Sequence, residues 1–184
     1  NRLTLAAGHE PEPEGAAMKP ATRAAVLSLM MTVCASAASA LTMTLTKSDP
    51  IVSIDFPANW DVGEIKRGVE AKSPDRDVYV WFEVFAPAEY DTLVGEHKAC
   101  FDKQGVQRTG EARVFSNEES GVRIKFSDFP STWKGAPTVL RYVAMDFGLP
   151  SQKQILMSYW ASPAGDKAHD ATVRALIDSM KMAR

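Results

Sequence analysis

The stretch Asp77–Phe85, DVYVWFEVF, restricts the fold of this chain more than any other feature. Successive side chains of a β-strand point to opposite faces, and from Val78 onward both sets are apolar except for Glu83. A strand with one wet face would carry polar residues at every second position. We therefore predict a central strand that other parts of the protein cover on both sides.

Further apolar or alternating segments predict a sheet whose strands are joined mostly by hairpins. The segment 117–121 is predicted to be a five-residue hairpin loop, and 130–137, which contains Pro, Ser, Thr and Gly, a longer loop. The predicted strands are 42–47, 51–56, 61–66, 69–73, 77–85, 110–116, 122–129, 138–147 and 154–161.

Two segments show the spacing of three and four between apolar positions that is typical of a helix packed by one face. The first is 88–103, and the second is 166–182 with Asp166 as a candidate N-cap. Two helices combined with hairpin-joined strands predict an α+β fold. Because the central strand needs cover on both faces, we expect a three-layer α/β/α sandwich around a mostly antiparallel sheet.

The N-terminal part of the chain has the features of a bacterial secretory signal peptide. Lys19 and Arg23 supply the positive start, residues 24–34 form the apolar stretch that follows, and Ala38-Ser39-Ala40 forms a small-residue cleavage site. The apolar stretch is shorter than the roughly 18 residues of a membrane span, so no integral membrane segment is expected after cleavage. The predicted location is the periplasm or the medium. The predicted division is residues 1–17 as upstream sequence outside the fold, 18–40 as signal peptide and 41–184 as one domain.

Composition excludes several classes of function. The net charge is −2, and no run of five or six like charges occurs. A nucleic-acid-binding protein normally shows a basic stripe, and a membrane-surface segment is polybasic, so neither partner is expected. After signal cleavage Cys100 would be the only cysteine, which rules out an internal disulfide. Free cysteines are usually buried, and we expect the same of Cys100.

Three short segments resemble landmarks of the PsbP/Mog1-like family. Ile54–Trp60 shows the pattern apolar-Asp-Phe-Pro-x-x-Trp, Ser73-Pro74-Asp75 precedes a strand, and Leu176–Lys181 resembles the closing helix. The resemblance spans about residues 45–181. It implies an α/β/α fold with a central antiparallel sheet, and an exported bacterial member of a group that includes photosystem II accessory subunits and small-GTPase regulators. It also implies a non-catalytic binding module without a shared active site.

Few residues offer catalytic or metal chemistry. His97 and Cys100 lie three apart on the first helix and could form a nucleophilic pair or two metal ligands, but burial in the helix stripe is the simpler interpretation. A zinc site needs three or four ligands, and His169 is the only other histidine after residue 40. Glu118 and Glu119 lie at a predicted hairpin tip rather than in a cleft. We expect no catalytic residue, no metal and no cofactor.

The aromatic residues in or beside predicted loops are the stronger candidates for a binding role. Tryptophan is enriched at binding surfaces, and the segment from Phe129 to Gly135 is the most conspicuous loop. The candidate binding surface therefore consists of Phe129, Trp133, Lys134 and Trp60.

The favoured function is an exported accessory module without catalytic activity, which binds a protein or a small molecule in the cell envelope. One alternative is an exported carrier of a small molecule or lipid, with a cavity between the sheet and the C-terminal helix. A second alternative is an enzyme or thiol sensor that depends on Cys100, and this would require an exposed thiol with a lowered pKa.

Overall fold

The structure is a computed structural model that describes residues 40–47 and 49–182. The predicted upstream sequence (residues 1–17) and signal peptide (18–40) lie outside the described residues, apart from Ala40, which begins the first strand. Neither α-helix of the described part is long and apolar enough to cross a bilayer.

The described residues form two antiparallel sheets and two α-helices. Strands β3 to β10 make the large sheet, in the order β3-β4-β5-β10-β9-β8-β6 with β7 also paired to β8, and β1-β2-β11 make the small one. The predicted α+β class with a mostly antiparallel sheet is confirmed. The elements are β1 (Ala40–Leu45), β2 (Val52–Pro57), β3 (Asp61–Ile65), β4 (Gly68–Lys72), β5 (Val78–Phe85), a 3₁₀ turn (Pro87–Glu89), α1 (Tyr90–Lys103), β6 (Val106–Arg108), β7 (Arg113–Glu119), β8 (Val122–Trp133), β9 (Ala136–Asp146), β10 (Gln154–Ala161), α2 (Pro163–Asp178) and β11 (Lys181–Met182).

Strand β5 is covered on both faces, as its pattern predicts. One face belongs to a core cluster with residues of α2 and of the small sheet: Val78, Val80, Phe82, Val84, Val173, Leu176, Ile54 and Phe56. The other face belongs to a second cluster with residues of α1: Phe85, Tyr79, Trp81, Leu93 and Phe101. Trp81 packs edge-on against Phe101 of α1, with ring centroids 5.1 Å apart. Burial of apolar side chains on both faces makes β5 an interior strand of the fold, between β4 and β10.

Two predicted loops are wrong, because two-residue turns replace them. Strand β7 runs to Glu119 and β8 begins at Val122, so Ser120-Gly121 alone closes the hairpin predicted over 117–121. The segment 130–137 is mostly strand, with only Lys134-Gly135 between β8 and β9. All four turn residues have positive φ, as the type I′ turn of a tight hairpin requires.

Pro130 lies inside β8 without breaking it. Its carbonyl accepts a hydrogen bond from the Thr109 N–H, on the outer side of β8 between β6 and β7. The nitrogen of a strand residue points to the same side as its carbonyl, so the missing N–H costs no bond to β9. The prediction that Pro130 begins a loop is therefore wrong. The short strand β6, which pairs with the end of β8, was not predicted from the sequence.

Helix α2 begins earlier than predicted. Ser162 is the N-cap, and its hydroxyl accepts a hydrogen bond from the Gly165 N–H. Pro163 occupies the first helical position, where its fixed φ suits a helix and its missing N–H costs nothing. Asp166 thus lies in the first turn rather than at the cap, and the helix ends at Asp178, so that Lys181 belongs to β11.

Candidate functional site

The four residues of the predicted binding surface do not lie together. Trp133 ends β8 with 38 % of its surface exposed, and Lys134 follows it in the turn. Phe129 is half-buried beneath the Arg108 guanidinium, which lies 3.9 Å from its ring centroid. Trp60 is only 6 % exposed and packs in the core cluster of α2 and the small sheet. The structure therefore brings together Trp133 and Lys134 but not Trp60.

Trp133 forms one wall of a cleft of about 320 Å³. Its indole Nε1–H donates to the Gln104 carbonyl over 3.0 Å, which fixes the ring. Its ring packs edge-on against Trp160, with centroids 5.5 Å apart. The Lys134 ammonium lies 4.4 Å from the Trp133 ring centroid, within the range of a cation–π contact.

Trp160 and Tyr79 form the floor of this aromatic cleft. They are directly opposite each other on β10 and β5, and their rings stack with centroids 5.1 Å apart. The Trp160 Nε1–H donates to the Thr138 hydroxyl over 2.9 Å, and that hydroxyl donates to the Ala161 carbonyl over 2.7 Å. Both indole N–H groups of the cleft are thus bonded within the protein, so the rings offer apolar surface to a ligand.

The turn between β4 and β5 supplies the charged rim of the cleft. Hydrogen bonds from the Ser73 hydroxyl and from His169, together with one from the Asp77 N–H, hold the pKa of Asp75 below its usual value. Asp77 accepts a hydrogen bond from the Ser162 hydroxyl over 3.1 Å. Arg76, with φ of 61°, lines the cleft and makes no ion pair with any described residue.

The cation of the cleft without an ion-pair partner among the described residues is Arg76. Arg76 and Asp77 are the charged side chains that line the cleft, and the Asp77 carboxylate already accepts a hydrogen bond from Ser162. Aromatic walls combined with an unpaired cation suit an apolar or aromatic group that carries a negative charge.

A second, larger opening is less suited to selective binding. It is an open groove of about 760 Å³ between the start of α1 and the β7–β8 hairpin. Arg123 and Asp146 on its wall are paired with each other. Lys125 lies 5.3 Å from the Tyr90 ring centroid. Its charged groups are thus largely engaged within the protein.

A buried polar trio lies between α1 and the large sheet. His97 donates from Nε2 to the Glu83 carboxylate, and its Nδ1 lies 2.5 Å from the Ser158 hydroxyl oxygen. The residue types are those of a serine hydrolase triad, but Ser158 is 0 % exposed, so no substrate reaches its hydroxyl. We interpret the trio as the polar joint that holds α1 on the sheet. Sequence analysis did not predict this joint. The one sign of it in the sequence was Glu83, the single charged residue in the otherwise apolar strand β5.

The prediction that Cys100 is buried is wrong. Leu93, His97 and Phe101 are spaced by four residues and face the sheet, whereas Cys100 is rotated by about 100° from Phe101 and is exposed. Both ring nitrogens of His97 already contact Glu83 and Ser158. The structure therefore does not bring His97 and Cys100 together as a nucleophilic pair.

The remaining titratable candidates also lie apart. His169 contacts the Asp75 carboxylate over 2.8 Å and packs edge-on against Trp60. Glu118 and Glu119 are exposed on β7. Within residues 40–47 and 49–182 there is no group of three or more His, Cys, Asp or Glu side chains arranged to hold a metal.

Comparison with known proteins identifies the fold. The sequence matches no protein-family profile, and no curated protein matches it. The solution structure of the cyanobacterial PsbP protein, CyanoP, from Synechocystis sp. PCC 6803 matches with a TM-score of 0.55 and 13 % identity, over 79 % of this chain and 94 % of that one. A crystal structure of a protein of unknown function from Pseudomonas aeruginosa, described as a putative regulator, matches with a TM-score of 0.36 and 13 % identity, over 77 % of this chain and 97 % of that one. The chain thus has a PsbP-like fold.

Proposed function

We propose that the protein is a non-catalytic accessory module that binds its partner or ligand at the aromatic cleft of Tyr79, Trp133 and Trp160. The carrying observation is an exposed tryptophan wall beside a cation, Arg76, that has no ion-pair partner among the described residues. Large aromatic side chains and arginine dominate binding energy where proteins meet their partners. The expected ligand is an apolar or aromatic group with an acidic substituent, on a protein or a small molecule of the cell envelope.

The arrangement of layers around the large sheet supports the proposal that the protein is a member of the PsbP/Mog1-like family. Strand β5 is covered by α1 on one face and by α2 with the small sheet on the other. We propose that these layers correspond to the α/β/α sandwich of the family. The landmark segments Ile54–Trp60 and Leu176–Lys181 contribute to the same cover, since Phe56 and Leu176 are both fully or almost fully buried.

The carrier alternative has less support. The space between the large sheet and α2 is filled by packed side chains, and Val173 and Leu176 share one core cluster with Val80 and Phe82. A lipid carrier needs a cavity at that place, whereas the larger groove lies beside α1 and the aromatic cleft reaches α2 only at its first residue, Pro163. The cleft is therefore the better candidate for a ligand site.

A fluorescent probe tests the cleft directly. The dye 8-anilinonaphthalene-1-sulfonate combines aromatic rings with one negative charge, which matches the rings and the cation of the cleft. We expect saturable dye binding, and Trp133→Ala should weaken the affinity by about tenfold, because it removes an aromatic wall. Arg76→Ala should also weaken it, and a fluorescence titration measures both effects.

Two matched variants control this experiment. Phe115→Ala removes an exposed aromatic ring outside the cleft, and Arg174→Ala removes an exposed arginine on α2. Both should bind the dye like the wild type. Equal binding by Trp133→Ala would contradict the cleft as a ligand site, and turnover of ester, peptide or glycoside substrates would contradict the absence of catalysis.

Export to the periplasm is part of the proposal and is tested separately. Cleavage after Ala40 leaves Leu41 as the first residue, and residues 41–45 of β1 still pair with β2. When the full chain is expressed in a Gram-negative host, N-terminal sequencing of the periplasmic protein should begin at Leu41. Full-length protein retained in the cytoplasm would contradict export.

A further inference from the structure

Strand β7 is an open edge of the large sheet. Among the described residues it pairs only with β8, and all seven of its residues are exposed. Natural edge strands are usually protected by charged side chains, lysine above all, by a proline or by a bulge. The sequence RVFSNEE contains no lysine or proline, its charged residues lie at the two ends (Arg113, Glu118 and Glu119), and the pairing with β8 is unbroken from Arg113–Asp128 to Glu119–Val122. This edge is therefore open to pairing with another strand.

The exposed edge also carries one large apolar side chain on each face. Val114 is 56 % exposed and Phe115 is 52 % exposed, and they point to opposite faces of the sheet because they are neighbours on a strand. Phe115 stacks on Phe126 of β8, with ring centroids 4.7 Å apart and planes 10° apart. Another strand laid along β7 would cover both side chains.

The hairpin determines which backbone groups of β7 point outward. In a hairpin closed by two residues, the pair that flanks the turn exchanges both backbone hydrogen bonds, and such pairs alternate along the strands. Glu119 pairs with Val122, so Glu119, Asn117, Phe115 and Arg113 direct their backbone groups toward β8. The N–H and C=O groups of Val114, Ser116 and Glu118 point away from it.

We propose that β7 pairs antiparallel with β7 of a second copy of this chain, about a two-fold axis at Ser116. In this register Ser116 pairs with Ser116, and Val114 with Glu118, so all the outward backbone groups find partners. Arg113 then lies opposite Glu119 of the second copy, twice by symmetry. Neither Arg113 nor Glu119 makes an ion pair with any described residue of its own chain.

The two neighbouring registers are less favourable. An axis at Phe115 pairs only residues 113–117 of β7 and an axis at Asn117 only residues 115–119, so in neither register does Arg113 lie opposite Glu119. The sequence of β7 is thus self-complementary in charge in the Ser116 register. Because edge pairing buries a small area, the dimer should be reversible and concentration-dependent.

Sedimentation velocity on a dilution series of the full chain tests this proposal. Arg113→Glu and Glu119→Arg should each weaken dimerisation by about tenfold or more, because two attractive contacts become repulsive. The double variant Arg113→Glu/Glu119→Arg should restore it. Since the double variant carries both substitutions, damage to folding would not produce this recovery. A dimer that survives the single reversals, or a protein that stays monomeric throughout the series, overturns the proposal.

A backbone variant provides a second measurement. Ser116→Pro removes an outward N–H that the hairpin does not use, so it should abolish the dimer while the circular dichroism spectrum stays that of the wild type. Ser116→Thr keeps the N–H and should dimerise like the wild type. Unchanged dimerisation of folded Ser116→Pro would contradict pairing through β7.

Discussion

Gly68→Ala should lower the free energy of unfolding by about 3 kcal/mol or more, since it forces overpacking that the backbone must absorb. A Cβ at Gly68 would lie 1.9 Å from the carbonyl oxygen of Phe82 and 2.9 Å from its carbonyl carbon. Both atoms belong to the backbone of the central strand, so no side chain can turn away. The strand would have to shift where the Val84 N–H donates to the Arg67 carbonyl. Urea unfolding followed by circular dichroism measures the loss.

Gly63→Ala is the matched control for this prediction. Gly63 lies in the same β3–β4 hairpin, and a Cβ there would meet only the Glu70 side chain, at an ordinary 3.7 Å. Alanine also restricts the unfolded chain, so this variant should be within about 0.5 kcal/mol of the wild type or slightly more stable. Equal destabilisation by both variants would show that close approach to Phe82 is not the cause.

Glu83→Ala should cost about 3 kcal/mol, the cost expected when one partner of a buried ion pair is removed. Glu83 is 4 % exposed and accepts hydrogen bonds from His97 and Arg67. Without the carboxylate, His97 loses the partner that orients it toward Ser158, and α1 loses its polar joint with the sheet. Chemical unfolding at neutral pH measures the effect.

The surface partner of Arg67 is the control. Glu96 also accepts a hydrogen bond from Arg67, but it is half exposed on α1, so Glu96→Ala should cost no more than about 1 kcal/mol. A loss as large as that of Glu83→Ala would indicate that the arginine, rather than the buried joint, carries the stability.

The pH dependence of the same variant provides a further readout. Burial raises the pKa of Glu83, but hydrogen bonds and charges from His97 and Arg67 outweigh burial and hold the pKa below 4.5. A carboxylate with a lowered pKa in the folded state stabilises the fold above the pKa of the unfolded state, and this contribution is lost as the pH falls through the folded-state value. The stability difference between the wild type and Glu83→Ala should therefore shrink below pH 4.5.

Local patterns predicted most of the secondary structure because the spacing of apolar residues shows which faces of a strand or helix must be buried. The alternation in β5 required cover on both faces, and the structure supplies it. Turn signals were less reliable. Pro130 indicated a loop, yet its carbonyl and missing N–H lie on the outer side of β8, where no bond to β9 is lost. Whether a proline breaks a strand depends on the partner strand, which the local sequence does not identify.

The candidate site was only partly predictable. The sequence indicates Trp133 as a loop tryptophan at a binding surface, and Trp133 does line the cleft, although it lies on a strand. Tyr79 and Arg76 come from a distant part of the chain, and only the pairing of β5 with β10 places Tyr79 against Trp160. Trp60 had the same sequence context as Trp133 but is buried, because it packs against His169 of α2.

The sequence by itself determined that β5 would be buried on both faces and that two helices would each pack by one face. The reason is that apolar side chains are buried away from water in any fold, so their spacing along the chain shows which faces are covered. The sequence also indicated a hairpin between β7 and β8, although not that its turn would consist of Ser120-Gly121 alone. Only the tertiary structure decided which aromatic rings meet in the cleft, that Glu83 joins His97 and Ser158, and that β7 is left as an open edge. The reason is physical: those features depend on strand order and on contacts between residues far apart in the chain, and local periodicity carries no information about either.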